Sequence, residues 1–133
     1  MAATEILDVR TTTRIETIDI TSLVRAAVRK SGIDAGLACV FCPHTTAGLT
    51  IQENSDPQVR ADLSGHLSKL VPHDGQYVNA DNNSDAHIKS SLVGASLSLI
   101  VDAGKPVLGQ WQAIYFCEFD GPRTRRVMIR VVG

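Results

Sequence analysis

From Thr4 to Thr13 the chain is rich in β-branched residues and alternates Ile6, Asp8 and Arg10 against Leu7 and Val9, the period-two pattern of a half-buried strand. Ile15 to Ile18 continues that strand or pairs with it. The period then changes. Ile20, Leu23, Val24, Ala27 and Val28 recur at helical spacing, with Arg25, Arg29 and Lys30 on the outer side, Thr21 or Ser22 as the cap and Gly32 just past the end. Gly36 to Cys42 is apolar throughout and predicts an inner strand covered on both faces. A short strand around Leu49 to Gln52 follows, then a helix opened by Asp56 before Pro57, carrying Val59, Leu63, Leu67 and Leu70 on one side and stopped by Pro72. His73 to Asn83 reads as a polar loop, and Ser84 or Asp85 starts a third helix that ends at Gly94. Leu97, Leu99 and Val101 alternate with polar neighbours, and Gly104-Lys105-Pro106 turns the chain. Gly109 to Phe119 and Thr124 to Val132 then predict a hairpin about Asp120-Gly121-Pro122-Arg123. Irregular alternation with β-rich ends favours an α+β fold, mostly antiparallel, with about three helices.

The chain has 133 residues, and 13 Lys and Arg against 14 Asp and Glu leave a net charge of −1. No linker or low-complexity stretch interrupts it, so a single domain over 1–133 is expected. A chain of this size buries roughly two-thirds of its unfolded surface, enough for a core without disulfides or a structural metal. The charge balance argues against nucleic acid as a partner, which would call for a basic excess. The three cysteines form no disulfide framework, and Met-Ala-Ala-Thr-Glu at the start lacks the charge and apolar run of a secretory leader. A reduced, cytoplasmic location is therefore expected. The longest uncharged run, Ala35 to Gln52, contains Pro43, His44, Thr45, Thr46 and two glycines and cannot cross a membrane.

Chemistry has several candidate homes. Cys39 and Cys42 match C-x-x-C, but residues three apart on a strand point to opposite faces, so the pair is read as core packing rather than as a redox or zinc site. His44 follows Pro43 at a strand end, beside Thr45, Thr46 and Gly48; it either closes a turn or offers a neutral imidazole to a metal or proton. Asp56 has a sufficient role as a helix cap, whereas Glu53 has none and is a candidate ligand or base. Asp81 to His87 holds more polar groups than capping needs, and the helix dipole favours neutral His87. His66 shares the helix face of Leu63 and Leu70 and reads as a packed or edge histidine, and His73, in a polar loop, reads equally as a surface residue. Gln110, Gln112 and Glu118 share a strand face with Ile114 and Phe116, which another subunit or a mixed pocket is expected to cover. Arg123, Arg125 and Arg126 form the one tight basic cluster, suited to phosphate or carboxylate or left as a solvated hairpin end. No phosphate-binding glycine loop or nucleophile elbow is present.

Taken together, His44-Thr-Thr-Ala-Gly-Leu-Thr-Ile-Gln-Glu53-Asn-Ser-Asp56, Asn83-Ser-Asp85-Ala-His87-Ile-Lys89, Gly109-Gln-Trp111-Gln112 and Cys117-Glu118-Phe-Asp120-Gly-Pro-Arg123-Thr-Arg125 resemble the YjbQ family across nearly the whole chain. The resemblance implies a compact YjbQ-like α+β domain assembling as a homotrimer, with secondary thiamine-phosphate synthase activity. That reaction is a transfer joining a pyrimidine methyl diphosphate to a thiazole phosphate. Carried over by position, the family's recurring polar set falls on His44, Glu53, Asp56, Asn83, Asp85, His87, Gln112, Glu118 and Arg123. Asn82 stands where the family usually has glycine, and Gln110 where it has a small residue. The expectation is then a site with Glu53, Asn83, Asp85, Gln112 and Glu118 as catalytic groups and with Thr45, Thr46, Arg123 and Arg125 binding a small phosphorylated molecule. His44 and His87 would hold a divalent metal, Zn²⁺ by ligand type or Mg²⁺ by reaction type. Metal-dependent hydrolysis of a small substrate and a trimeric metal- or ligand-binding module without turnover are the rivals.

Overall fold

The structure, a computed structural model, describes residues 3–133. Met1 and Ala2, part of the stretch read above for a leader, lie outside the described residues. The elements run β1 (Thr4–Arg10), β2 (Glu16–Asp19), α1 (Thr21–Ser31), β3 (Gly36–Phe41), β4 (Ala47–Glu53), α2 (Pro57–Leu70), α3 (Ser84–Val93), β5 (Ser96–Asp102), β6 (Lys105–Pro106), β7 (Gln112–Glu118) and β8 (Thr124–Val132). They form a five-stranded sheet in the order β1-β8-β3-β5-β6 and a three-stranded sheet in the order β2-β7-β4. Every ladder is antiparallel.

One hydrophobic core joins these layers. Val40, Leu99, Val127 and Ile129 from the larger sheet meet Leu49, Ile114 and Phe116 from the smaller one, and Val24 and Val28 of α1 complete the cluster. Among the described residues no helix is long and apolar enough to cross a membrane.

Four expectations change. β2 does not extend or pair with β1; it pairs with β7 in the other sheet, Glu16 opposite Glu118, because the polar run Thr11 to Arg14 turns the chain between sheets. β7 and β8 likewise are not a hairpin. The corner from Phe119 to Arg123 sends β7 to the centre of the small sheet and β8 between β1 and β3. β3 is an inner strand, yet only one of its faces is covered: Ala38 and Val40 are buried, while Leu37, Cys39 and Phe41 are exposed. Cys39 is thus not a core residue. It and the buried Cys42 do lie on opposite sides, as strand geometry requires. The face shared by Ile114 and Phe116 is filled by the chain's own core, and both side chains are fully buried without a partner subunit.

The helix ends follow local chemistry with one change. Asp56 caps α2 by accepting the Gln58 N–H at 2.9 Å. Neither Thr21 nor Ser22 caps α1: Asp19 Oδ1 accepts the Thr21 N–H, and the Thr21 hydroxyl accepts the Ile114 N–H, both at 2.9 Å. Gly32 takes the left-handed conformation at φ 71° that ends α1. Gly48, a glycine beside His44 that could let a ligand approach the backbone, serves a different purpose. A side chain there would collide with the Gly94 carbonyl, so the close approach it permits is to the α3–β5 junction and not to a ligand.

Candidate functional site

The polar residues with the least solvent lie at one end of the small sheet, where the corners entering β2 and leaving β7 meet the start of α3. Glu118 ends β7 and is fully buried. Arg125, inward-facing on β8, donates from Nε to Glu118 Oε2 at 2.7 Å and from Nη2 to Oε1 and to Thr46 Oγ1, the latter at 2.8 Å. The Thr11 hydroxyl donates to Glu118 Oε2 at 2.9 Å, and the Asp120 N–H donates to Oε1 at 3.0 Å. Burial pushes the Glu118 carboxyl up, but Arg125 and these donors outweigh it and hold it below its ordinary range.

A second buried charge adjoins the first. Asp85, also fully buried, receives two bonds from Arg14 at 3.0 and 3.1 Å and has Lys89 Nζ at 3.9 Å. Burial raises its pKa, but the hydrogen bonds and charge of Arg14 outweigh this and leave it below the ordinary value. Lys89 is itself buried, and burial depresses its pKa against the opposing charge of Asp85. Asp120 links the two systems. It lies 3.6 Å from Arg14 Nε, accepts from the Asn83 amide at 3.0 Å, and accepts from Arg123 Nη2 at 3.0 Å. Gly121 belongs to the same construction, since a side chain there would strike the Thr13 carbonyl, Glu118 and Thr11.

Above this network stands a half-exposed rim. His44 Nε2 accepts the Arg126 N–H at 2.9 Å, which places the ring proton on Nδ1. Burial and the charge of Arg125 lower the His44 pKa, so the ring is neutral at pH 7. Arg123 and Thr45 are exposed, Asn83 and His87 half-buried. Thr46 and Arg125, expected to touch substrate, face inward and hold Glu118 in place.

Glu53 and Gln112 are elsewhere. They pair with each other at the far end of the β4–β7 ladder, whereas Ala47 pairs with Glu118 at the near end. Six residues of strand put roughly 20 Å between the two pairs, so one chain gathers the expected set into two places.

The histidine pair does not form a metal site within one chain. Among the described residues no group of three or more His, Cys, Asp or Glu could hold an ion. While His44 accepts from Arg126 through Nε2 and carries its proton on Nδ1, neither ring nitrogen has a lone pair to give. Within a single chain these donors therefore do not fit Zn²⁺, and a pair of imidazoles does not suit Mg²⁺. His66 is exposed, and the exposed His73 bonds the Asn82 carbonyl at 2.9 Å.

Sequence reasoning missed Thr11, Arg14 and Lys89. Thr11 was hidden inside a run that looks like strand, and Arg14 at the step between two such runs. Lys89 carried a usable signal, because it follows Asp85 by one helical turn, the spacing at which opposite charges meet.

The family called UPF0047 protein YjbQ-like matches residues 5–133. The chain belongs to this YjbQ-like family. It is 47% identical over 125 residues to a UPF0047 protein of Methanocaldococcus jannaschii, covering 94% of this chain and 91% of the relative. It is 48% identical over 128 residues to UPF0047 protein YugU of Bacillus subtilis, covering 96% and 97%. The crystal structure of a YjbQ/UPF0047 family protein from Clostridium acetobutylicum superposes with a TM-score of 0.94 at 49% identity, covering 96% of this chain and 99% of that one. A YbjQ-like protein of Sulfolobus solfataricus gives 0.95 at 29% identity, covering 100% and 98%. The YjbQ-like fold expected from the motifs is thus the fold of this chain.

Proposed function

We propose that the chain is a small-molecule enzyme that binds a phosphorylated substrate on the rim formed by His44, Thr45, Asn83 and Arg123. The observation that carries this reading is the doubly charged network buried beneath the rim. Buried ion pairs contribute little net stability compared with apolar packing. Buried carboxylates whose pKa values are lowered by specific charge partners mark candidate functional sites. Arg123 offers an exposed guanidinium whose direction is set by Asp120, and Thr45 offers a hydroxyl.

The reaction we assign to this rim is the joining of a pyrimidine methyl diphosphate to a thiazole phosphate, as the family resemblance implies. The thiazole nitrogen attacks the exocyclic methylene carbon, a C–N bond forms, and the C–O bond to diphosphate breaks. The diphosphate departs with the bonding electron pair. Arg123 and Arg126 supply positive charge where negative charge accumulates. Neutral His44 fixes the Arg126 backbone without adding a competing charge. Glu118 and Asp85 act by holding Arg125, Thr46 and Arg14 in place. No step is routed through a metal, because the donors of one chain do not fit one.

We further propose a homotrimer, supported by the outer face of the five-stranded sheet, where Ile6, Leu37, Phe41, Ile100 and Val132 are exposed.

The test is incubation of the purified protein with both phosphorylated substrates, following thiamine phosphate and diphosphate with and without added divalent metal. Turnover that falls about 10²-fold in Arg123→Ala is the expected result. Diphosphate release without coupling would replace the transferase by a hydrolase, and binding without turnover would leave a ligand-binding module.

A further inference from the structure

The small sheet has a second feature that this reading does not use. Between it and helices α2 and α3 lies a cavity of about 230 Å³ whose wall includes Leu63, Leu67, Leu92, Val93 and Phe119. None of the residues of α2 is buried, so the helix stands off the sheet and leaves this space. Arg60 shares the helix face of Leu63 and Leu67, at the i, i+3, i+7 spacing of an apolar stripe, which places a cation where a hydrophobic residue is the expected choice.

The bonding of Arg60 is one-sided. Its Nη1 donates to the Tyr115 hydroxyl at 2.9 Å and to the Glu53 carbonyl at 3.4 Å, and its guanidinium lies 5.1 Å from the Tyr115 ring centroid. Among the described residues it pairs with no carboxylate, and its Nε and Nη2 have no protein acceptor. Tyr115 spends its lone pair on Arg60 and has no acceptor for its own O–H proton among the described residues. Burial raises the Tyr115 pKa, so it keeps that proton and stays a donor. At the other end of the cavity the fully buried Lys89 ammonium is held by Ser68 at 3.3 Å and shares Asp85 with Arg14. Of the acids on the wall, Glu118 is neutralised by Arg125, and Glu16 is engaged with the Thr12 N–H at 2.7 Å.

We propose that this cavity binds a small monocarboxylic acid with an aromatic or branched aliphatic body, its carboxylate clamped by Arg60 and the Tyr115 hydroxyl and its body seated among Leu63, Leu67, Leu92 and Val93. The planar guanidinium fork matches a carboxylate, and the hydroxyl proton supplies the second donor. A phosphate dianion would need more donors than this mostly apolar wall presents. The site is separate from the rim, so it stands or falls independently of the phosphate reading.

Calorimetric titration with phenylacetate and isovalerate, set against the uncharged phenylacetamide, tests it on the intact protein. Phenylacetate should bind about tenfold or more tightly than the amide, the usual worth of a charge-assisted bond. Arg60→Gln should remove that advantage while amide binding stays the same, and Tyr115→Phe should weaken the acid alone. Leu63→Trp, on the half-open side of a helix with no buried residues, should abolish both by filling the cavity while the far-ultraviolet spectrum stays native. Arg123→Ala should change nothing. Equal binding of acid and amide, no binding of either at about 10 mM, unchanged affinity in Arg60→Gln, or loss of binding in Arg123→Ala would each overturn the proposal.

Discussion

Arg125 of β8 and Glu118 of β7 belong to different sheets, yet their side chains meet in a bidentate pair fully removed from water, with Nε to Oε2 at 2.7 Å. This pair clamps the two layers together at the corner where no backbone ladder joins them. Glu118→Ala leaves the Arg125 charge buried and should destabilise the fold by about 3–5 kcal/mol. The double variant Glu118→Leu with Arg125→Met should recover most of that loss while activity stays absent. Urea unfolding of the three proteins checks it, and a Glu118→Ala loss below about 1 kcal/mol would mean that water reaches the pair.

Acid should act on the same region. His44, Glu118, Asp85 and Asp120 all have folded-state pKa values below their ordinary ones: burial and the charge of Arg125 both lower His44, whereas for the three carboxylates burial raises the value and their arginine and hydrogen-bond partners outweigh it. A group depressed on folding stabilises the native state above its unfolded pKa and withdraws that stability as pH falls through the folded value. Loss should therefore begin below about 6.5 with His44 and steepen below about 4.5 as the carboxylates follow. Melting temperature measured from pH 8 to pH 3 gives the profile. Asp85→Asn should flatten the lower part, and an unchanged lower limb in that variant would show that Asp85 does not contribute to the acid loss.

The sequence made some of this architecture readable and concealed the rest for definable reasons. Period and capping located all three helices and the main strands because Val24, Val28 and the Asp56-Pro57 step act locally. Strand partners depend on contacts between distant residues, so the assignment of β2 and β7 to one sheet and β8 to the other was not visible. Individual candidate residues stood out, including His44, Asp85, Glu118 and Arg123, because their chemistry exceeded local structural need. Their partners did not: Thr11 meets Glu118 across 107 positions and Arg14 meets Asp85 across 71. Nothing in the one-dimensional pattern indicated that Glu53 and Gln112 would share the far end of a ladder.

Thiol chemistry probes the sheet faces. Cys42 and Cys117 are buried, and burial pushes the Cys117 thiol up to about 12, so both should resist labelling in the native protein. Cys39 lies on the outer face proposed for assembly. Its labelling should be slow where light scattering gives a mass near three times 14.3 kDa and fast where dilution gives one chain. Rapid Cys39 labelling in a preparation that remains trimeric would place the interface elsewhere.

Charge on that face gives a direct check on assembly. Phe41 is exposed in the single chain, so Phe41→Glu costs little in the monomer fold but introduces buried charge if copies pack there. The expected outcome is a shift to single-chain mass with a native spectrum. Retention of the trimer would exclude this face.

A phosphorylated substrate is proposed to sit above the Glu118–Arg125 pair and not at the Glu53–Gln112 end of the ladder. Backbone amide signals followed by NMR during titration with the thiazole phosphate test this most directly. Saturable shifts are expected at His44, Thr45, Asn83 and Arg123, with none at Gln52 to Asn54 or Gln112, and with loss of the response in Arg123→Ala. Shifts confined to the Glu53 and Gln112 end, or an unaltered response in Arg123→Ala, would contradict it.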